Sequence, residues 1–350
     1  MKQKSKNFDL VSMVRPSVID LRPYASAKDE FKGFEQKLIY IDANENPFEN
    51  GLNRYPDPGQ KQLRQKISQI KGIPAENMLL GNGSDEILDL IFRVFMEPGK
   101  DNIVISEPTF GMFRVLCGVN EVECRSTLLD RDFQLQVDKI RGLLDPRTKA
   151  VFICSPNNPT GNLMRRKDIL ALLELGIIVV VDEAYVDFAD AESMGRLIDS
   201  HPNLIVTQTF SKAYGMAGIR LGMCFAQKPI IDLLKKVKMP YNVNVLTQRA
   251  ALEHLGDRDS HLGEVKAIRE GRKWLETELA TCPVVRKIYP SDSNFLLVRV
   301  DDADTRYRQL IDRGLVVRNR SREPLCENCL RITVGTPEEN RKLLQAMRNL

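Results

Sequence analysis

Four short apolar runs constrain this chain more than any other feature. Ile103–Ile105, Val151–Cys154, Ile177–Val181 and Leu204–Thr207 are of strand length and rich in β-branched residues. Helical periodicity fills the spaces around them: Leu63, Ile67 and Ile70; Ile87, Leu88, Leu90 and Ile91; and the spans Arg165 to Leu173 and Ser260 to Leu279. Strands alternating with helices predict an α/β fold, a mostly parallel sheet sandwiched by helices. Such sheets bind ligands beyond the carboxyl ends of their strands. Three of the runs end in reactive groups there. Cys154 leads into Ser155-Pro156-Asn157-Asn158-Pro159-Thr160-Gly161, Val181 into Asp182-Glu183-Ala184-Tyr185, and Thr207 into Gln208-Thr209-Phe210-Ser211-Lys212. An amide, a carboxylate with a phenol, and an amine are expected to meet in one crevice. A lysine at the end of a buried strand is costly unless it pairs, deprotonates or reacts.

Upstream, Met78-Leu79-Leu80 runs into Gly81-Asn82-Gly83-Ser84-Asp85-Glu86, a glycine-rich turn that opens a helix. Free N–H groups and the positive end of the helix dipole suit an anion, above all phosphate. The turn is neither a dinucleotide fingerprint, since Glu86 stands at the third glycine position, nor a P-loop, since G-K-[ST] is missing. Ser84 or Asp85 is expected as the helix cap. Residues 1–28 contain Arg15-Pro16 and Arg22-Pro23-Tyr24 with little periodicity and read as an extended N-terminal arm. Leu38–Asp42 reads as a short strand, and Ala43–Pro47 and Asn53–Pro58 as loops. After Thr281 the pattern changes. Phe295–Val300, Leu315–Arg318 and Leu330–Val334 are expected strands of a smaller α+β unit, and the last helix starts at Thr336-Pro337-Glu338-Glu339 with a cap, proline at N1 and glutamate at N3. The expected organisation is an arm (1–28), a large domain (29–281) and a small C-terminal domain (282–350).

Charge narrows the function classes. With 51 basic and 47 acidic residues and no long one-sign block, electrostatic recognition of nucleic acid is unsupported, while single arginines remain free to meet small anions. The charged start lacks the apolar core of a secretory signal, and no run reaches membrane-spanning length, so a cytoplasmic protein without a membrane partner is expected. Seven scattered cysteines fit reduced thiols. Cys326-Glu327-Asn328-Cys329 has no second ligand pair, and His201, His254 and His261 show no ligand spacing around it, so no metal is expected and the two thiols read as incidental.

Taken together, the motifs resemble the fold-type I pyridoxal-phosphate-dependent aminotransferases. The matching pieces are Ala43–Pro47, Arg54-Tyr55-Pro56, Gly81–Glu86, Glu107–Met112, Ser155–Gly161, Asp182–Tyr185, Ser211-Lys212-Ala213, Ala217–Gly222 and Leu330–Gly335, in the family's order over nearly the whole chain. The resemblance implies pyridoxal 5'-phosphate as cofactor, bound by the large domain. Lys212 would carry the cofactor aldehyde and move the proton, its pKa lowered by burial and cationic neighbours. Asp182 would pair with the pyridine nitrogen, and Tyr185 and Asn158 would hydrogen-bond the ring oxygen. Gly83, Ser84, Asp85, Thr209, Ser211 and Arg220 would hold the phosphate, with Tyr55 supplied by a second subunit of a homodimer. Phe110 would stack on the ring, in place of the tyrosine of many relatives.

Within the family, the resemblance is to the branch that exchanges the amino group between glutamate and imidazole-acetol phosphate in histidine biosynthesis. It implies that Arg331 binds the anionic tail of the substrate and that Arg318, Tyr24 and Asn44 also contact substrate. Two arginines suit a dianion. An aromatic or threonine-phosphate-acting enzyme of the same fold is the alternative. A Ser211–Lys212 hydrolase is disfavoured because adjacent strand residues point to opposite faces. A cofactor-sensing regulator would need a DNA-binding segment that residues 1–28 are too short to supply.

Overall fold

The computed structural model describes residues 8–22 and 39–350. Its main sheet has seven strands: β1 (Met78–Asn82), β2 (Asn102–Glu107), β3 (Glu123–Leu128), β4 (Thr148–Cys154), β5 (Ile178–Asp182), β6 (Leu204–Thr209) and β7 (Leu221–Phe225). They lie in the order β1-β7-β6-β5-β4-β2-β3. All run parallel except β7, which is antiparallel to both of its neighbours.

The near-continuous apolar character of the strands follows from burial on both faces. Val104, Val151, Ile153, Val179, Val181, Leu204 and Val206 join one core with the helices Lys61–Lys71 and Arg166–Leu173. Their alternating neighbours Ile103, Ile105, Ala150, Phe152, Cys154, Ile178, Val180 and Ile205 join the opposite core, with the helices Gly83–Phe95, Met112–Val119 and Lys228–Val237. The strand period of two thus sorts one sequence into two cores. Each buried Val, Ile, Leu or Phe among them contributes roughly 1.5–3 kcal/mol, enough together to hold polar groups rigidly at the strand ends.

A second sheet is wholly antiparallel, in the order β10-β11-β9-β8, formed by β8 (Val285–Ile288), β9 (Phe295–Val300), β10 (Arg318–Asn319) and β11 (Cys329–Thr333). One face packs on the helices Arg258–Leu279 and Pro337–Arg348. From the other, Leu297 and Cys329 join the core of the main sheet together with Cys326. Both cysteines are free and fully buried, so this pair acts as apolar filling between the two sheets. The last helix carries the expected capping box, Thr336 with Glu339, and proline at its start.

The fold departs from the sequence expectations in several places. Residues 39–42 form no strand; Ile39 and Ile41 are 86% and 91% exposed, and β-branched residues alone make no strand without a sheet edge to join. Leu38 lies outside the described residues. The strand expected at Leu315–Arg318 begins only at Arg318, because the Leu315 N–H is still bonded to the carbonyl of Leu310 in the preceding helix end. Neither Ser84 nor Asp85 caps its helix. Asn82 takes the cap position, and the Glu86 carboxylate accepts from its N–H, which leaves the Ser84 and Asp85 side chains for other work. Within the arm, residues 8–22 are not extended but form two single helical turns, Leu10–Met13 and Pro16–Ile19, with Val14 and Val18 buried in the second core.

Candidate active site

The carboxyl ends of β2, β4, β5 and β6 open on a cavity of about 530 Å³, closed on the far side by β10 and β11. Strand register places its floor. Cys154 pairs with Asp182 and Asp182 with Thr207, so three polar ends stand in one row. The Thr207 hydroxyl donates to Asp182 Oδ1 at 3.1 Å and the Ala184 N–H to the same oxygen at 3.2 Å. Oδ2 makes no hydrogen bond among the described residues. Asp182 is 2% exposed, and burial, only partly offset by those two donors, raises its carboxyl pKa to about 7.

Lys212 stands on the loop after β6 and reaches the open cavity, its Nζ 5.5 Å from the centre of the Tyr185 ring. The cavity walls dehydrate the amine, and Arg331 adds repulsion; together they lower its pKa although Asp182 and Asp85 pull the other way. Its side chain is solvent-accessible through the cavity mouth, so the lowering reflects the enclosing walls rather than full burial. Tyr185 packs edge-on to Phe295 at 5.2 Å, and burial pushes its phenol well above the ordinary range, so it stands as a hydrogen-bond donor at neutral pH.

One end of the cavity is an anion cradle, and the reversed strand β7 builds it. Only a strand antiparallel to β1 and β6 begins where they end. Asn82 pairs with Leu221, and Thr209 with Gly222, which brings Arg220 beside the Gly83–Asp85 turn. Arg220 Nη2 lies 3.4 Å from Asp85, and its Nη1 3.5 Å from the Ser211 hydroxyl. The Thr209 hydroxyl accepts from the Ser211 N–H at 3.1 Å. Glycine is required here. A Cβ on Gly222 would sit 2.3 Å from the Ser84 nitrogen, and Gly83 holds φ +79, a backbone conformation that other residues rarely adopt. Arg220 itself holds φ +54, a left-handed conformation costing roughly 1–2 kcal/mol in a non-glycine residue.

The opposite wall is cationic. The register of β10 and β11 sets Arg318 directly across from Arg331, and both line the cavity. Arg331 lies over the Phe295 ring at 5.3 Å and donates to Asn158 Oδ1. Phe110, edge-on to Phe113 at 5.6 Å, and Asn158 complete the lining.

Of the residues singled out from sequence, Ser84, Asp85, Phe110, Asn158, Asp182, Tyr185, Thr209, Ser211, Lys212, Arg220, Arg318 and Arg331 all line this cavity, and Gly83 shapes its cradle. Tyr55 and Asn44 are not among the lining residues. They lie on the exposed segment 39–59, where Tyr55 stacks on Tyr241 at 4.3 Å and the Tyr55 N–H donates to Glu45 at 2.6 Å. Tyr24 lies outside the described residues. Sequence reasoning missed two charged lining residues, Arg320 and Glu323. The signal was available for the first: Arg320 is two positions beyond Arg318 in an extended stretch, hence on the same side.

The chain matches the family described as aminotransferase class I and II over residues 34–347. The histidinol-phosphate aminotransferase of Christiangramia forsetii is 51% identical over 346 residues, 99% of either chain. That of Flavobacterium johnsoniae is 50% identical over 345 residues, 98% of this chain and 99% of its own. Among solved structures, the histidinol-phosphate aminotransferase of Sinorhizobium meliloti in complex with pyridoxal-5'-phosphate superposes with a TM-score of 0.77 at 24% identity, covering 85% of this chain and 82% of that one.

Proposed function

This chain belongs to the aminotransferase class I and II family, and from that premise we propose that it transfers an amino group from glutamate to imidazole-acetol phosphate, giving L-histidinol phosphate and 2-oxoglutarate, within histidine biosynthesis. The observation that carries this reading is the placement of Lys212 and the buried Asp182 in one cavity, between an anion cradle and a wall of arginines.

The donor set suits pyridoxal 5'-phosphate. Backbone N–H groups at the start of the Gly83–Phe95 helix, the Thr209 and Ser211 hydroxyls and Arg220 make a phosphate cradle that a single Cβ at position 222 would fill. When bound, the cofactor supplies an electron sink that stabilises the negative charge developing at the substrate carbon. Asp182 would hold a proton on the ring nitrogen. Its carboxyl, near pKa 7 with nothing opposite, becomes a full carboxylate once a cation faces it. Tyr185 would donate from its phenol, and Asn158 from its amide, to the ring oxygen. Phe110 would cover one face of the ring and exclude water there. Lys212 is the attachment residue. Its Nζ, once free, would take the proton from the substrate carbon and give it back, a task that its lowered pKa suits. Arg331 and Arg318 bind the phosphate of the substrate, each able to offer two parallel donors.

The working form is a homodimer on this reading, with Tyr55 of one subunit reaching the phosphate of the other, and Tyr24 and Asn44 contacting substrate. Ile39, Ile41, Phe48 and Leu52, on the same chain segment as Tyr55, are exposed apolar side chains that a subunit interface would cover. A reducing, cytoplasmic setting fits seven free thiols. No described helix is long and apolar enough to cross a membrane.

Absorbance of the loaded enzyme tests the proposal. L-Histidinol phosphate should bleach the visible band of the bound cofactor and 2-oxoglutarate should restore it. Faster bleaching by phenylalanine or threonine phosphate would move the assignment to the alternative.

A further inference from the structure

The arginine wall has a third member. β10 ends at Asn319, yet the Arg320 N–H still donates to the Cys329 carbonyl at 2.8 Å, so the chain follows β11 one residue further. Side chains alternate along such a stretch, and Arg318 and Arg320 both face the cavity with Arg331. The chain then turns: the Glu323 N–H donates to the Arg320 carbonyl at 3.0 Å, which returns the Glu323 carboxylate to the Arg320 guanidinium as an ion pair through Nη2. Arg320 Nε is buried and makes no hydrogen bond. Charged groups around Glu323 are Arg320, Arg331 and Glu107, and burial raises its carboxyl pKa despite the two arginines. Three guanidiniums and one carboxylate leave a formal charge of +2 at this end of the cavity. A carboxylate tail neutralises half of that; a phosphate monoester, with about two negative charges at neutral pH, neutralises all of it.

We propose that Arg320 is a specificity-determining residue that contacts the dianionic end of the phosphate substrate, and that Glu323 is the positioning residue that fixes its guanidinium at the cavity wall. The inference rests on the phosphate-substrate reading above and adds to it the group that separates phosphate from carboxylate. An aminotransferase of this kind must accept both glutamate and a phosphate ester in one cavity. Arg331 can serve either, whereas a cation already half-neutralised by Glu323 gains most from the more highly charged partner.

The two half-reactions, followed by the visible band, test this. Arg320→Met should lower kcat/KM for L-histidinol phosphate about thirtyfold, mostly through KM, and reduce the preference for it over glutamate at least tenfold. Arg320→Lys should recover part of that loss, since a point charge replaces a fork. Glu323→Gln should raise KM for the phosphate substrate severalfold with kcat retained, and the wild-type and variant KM values should converge as pH falls and the wild-type glutamate takes up a proton. Calorimetry of histidinol phosphate on cofactor-loaded Lys212→Ala protein, where no turnover occurs, should show the same Arg320→Met loss as a weaker Kd. An unchanged cofactor spectrum in each variant separates these effects from misfolding. Equal losses in both half-reactions, or none in either, would overturn the role of Arg320. A wild-type enzyme that ignores histidinol phosphate would instead sink the functional reading itself.

Discussion

Two lysines stand on either side of the loop after β6, and their amines are driven in opposite directions. Lys212 faces the large cavity without an ion-pair partner among the described residues, and its pKa is lowered. Lys71 faces a smaller cavity of about 160 Å³ behind the loop, lined also by Asp187, Tyr214, His254 and His261. Burial pushes Lys71 down as well, but the Asp187 carboxylate at 2.8 and 3.1 Å, helped by Tyr214, outweighs it and raises the pKa. Behind the loop the amine is matched by a carboxylate. The Tyr214 ring is stacked between Phe210 at 4.6 Å and His261 at 4.3 Å, and Lys71 ties the segment after β5, through Asp187, to the segment after β6. In front, the Lys212 amine has no ion-pair partner among the described residues. Enclosure alone does not mark a reactive amine; enclosure without a counter-charge does.

Four substitutions break or sharpen that contrast. The largest effect belongs to Lys212→Ala, which should abolish bleaching of the cofactor band and cut turnover by 10³-fold or more while thermal stability stays near wild type. Activity surviving at even a few per cent would overturn the attachment residue.

Asp182→Asn comes next, read as stability against pH in cofactor-free protein. Folded Asp182 keeps its proton up to about pH 7, whereas an unfolded aspartate loses it near ~4. Between those values the folded chain binds more protons, so wild type should lose stability relative to the variant as pH rises, by about 4 kcal/mol at most, and level off above. Adding cofactor should remove the slope, because the ring nitrogen then faces the carboxylate. Parallel melting curves for the two cofactor-free proteins from pH 4 to 8 would show that the carboxyl is not perturbed.

Lys71→Met is expected to destabilise by about 3 kcal/mol or less, since it leaves the partly open Asp187 unpaired. The folded fraction should keep its half-reaction rates, and a drop in kcat larger than the drop in melting temperature explains would place the rear cluster in the chemistry. Smallest is His261→Ala, which removes one stacked ring from Tyr214 and should cost about 1 kcal/mol with no change in the cofactor band.

How much could be read before the fold was known differs from element to element. β2, β4, β5 and β6 were legible because strands buried on both faces are short, apolar and β-branched. β3 escaped because Glu123-Cys124-Arg125-Ser126-Thr127-Leu128 is an edge strand with a polar face. β7 escaped because Leu221-Gly222-Met223-Cys224-Phe225 has no β-branched residue, although all five are buried. Glu323 gave no periodic signal, because a turn rather than a strand returns it to the cavity.

The order of residues along the chain determined which chemistry ends each strand: an amide after β4, a carboxylate and a phenol after β5, an amine after β6. Parallel strands buried on both faces must present those ends together. Which anion-binding groups join them was decided only by the tertiary structure. The reversed direction of β7 carries Arg220 to the Gly83 turn, and the pairing of β10 with β11 sets Arg318 across from Arg331. Strand direction and register are fixed by which edge accepts a strand and by what its neighbours bury, and no local stretch of sequence contains that information.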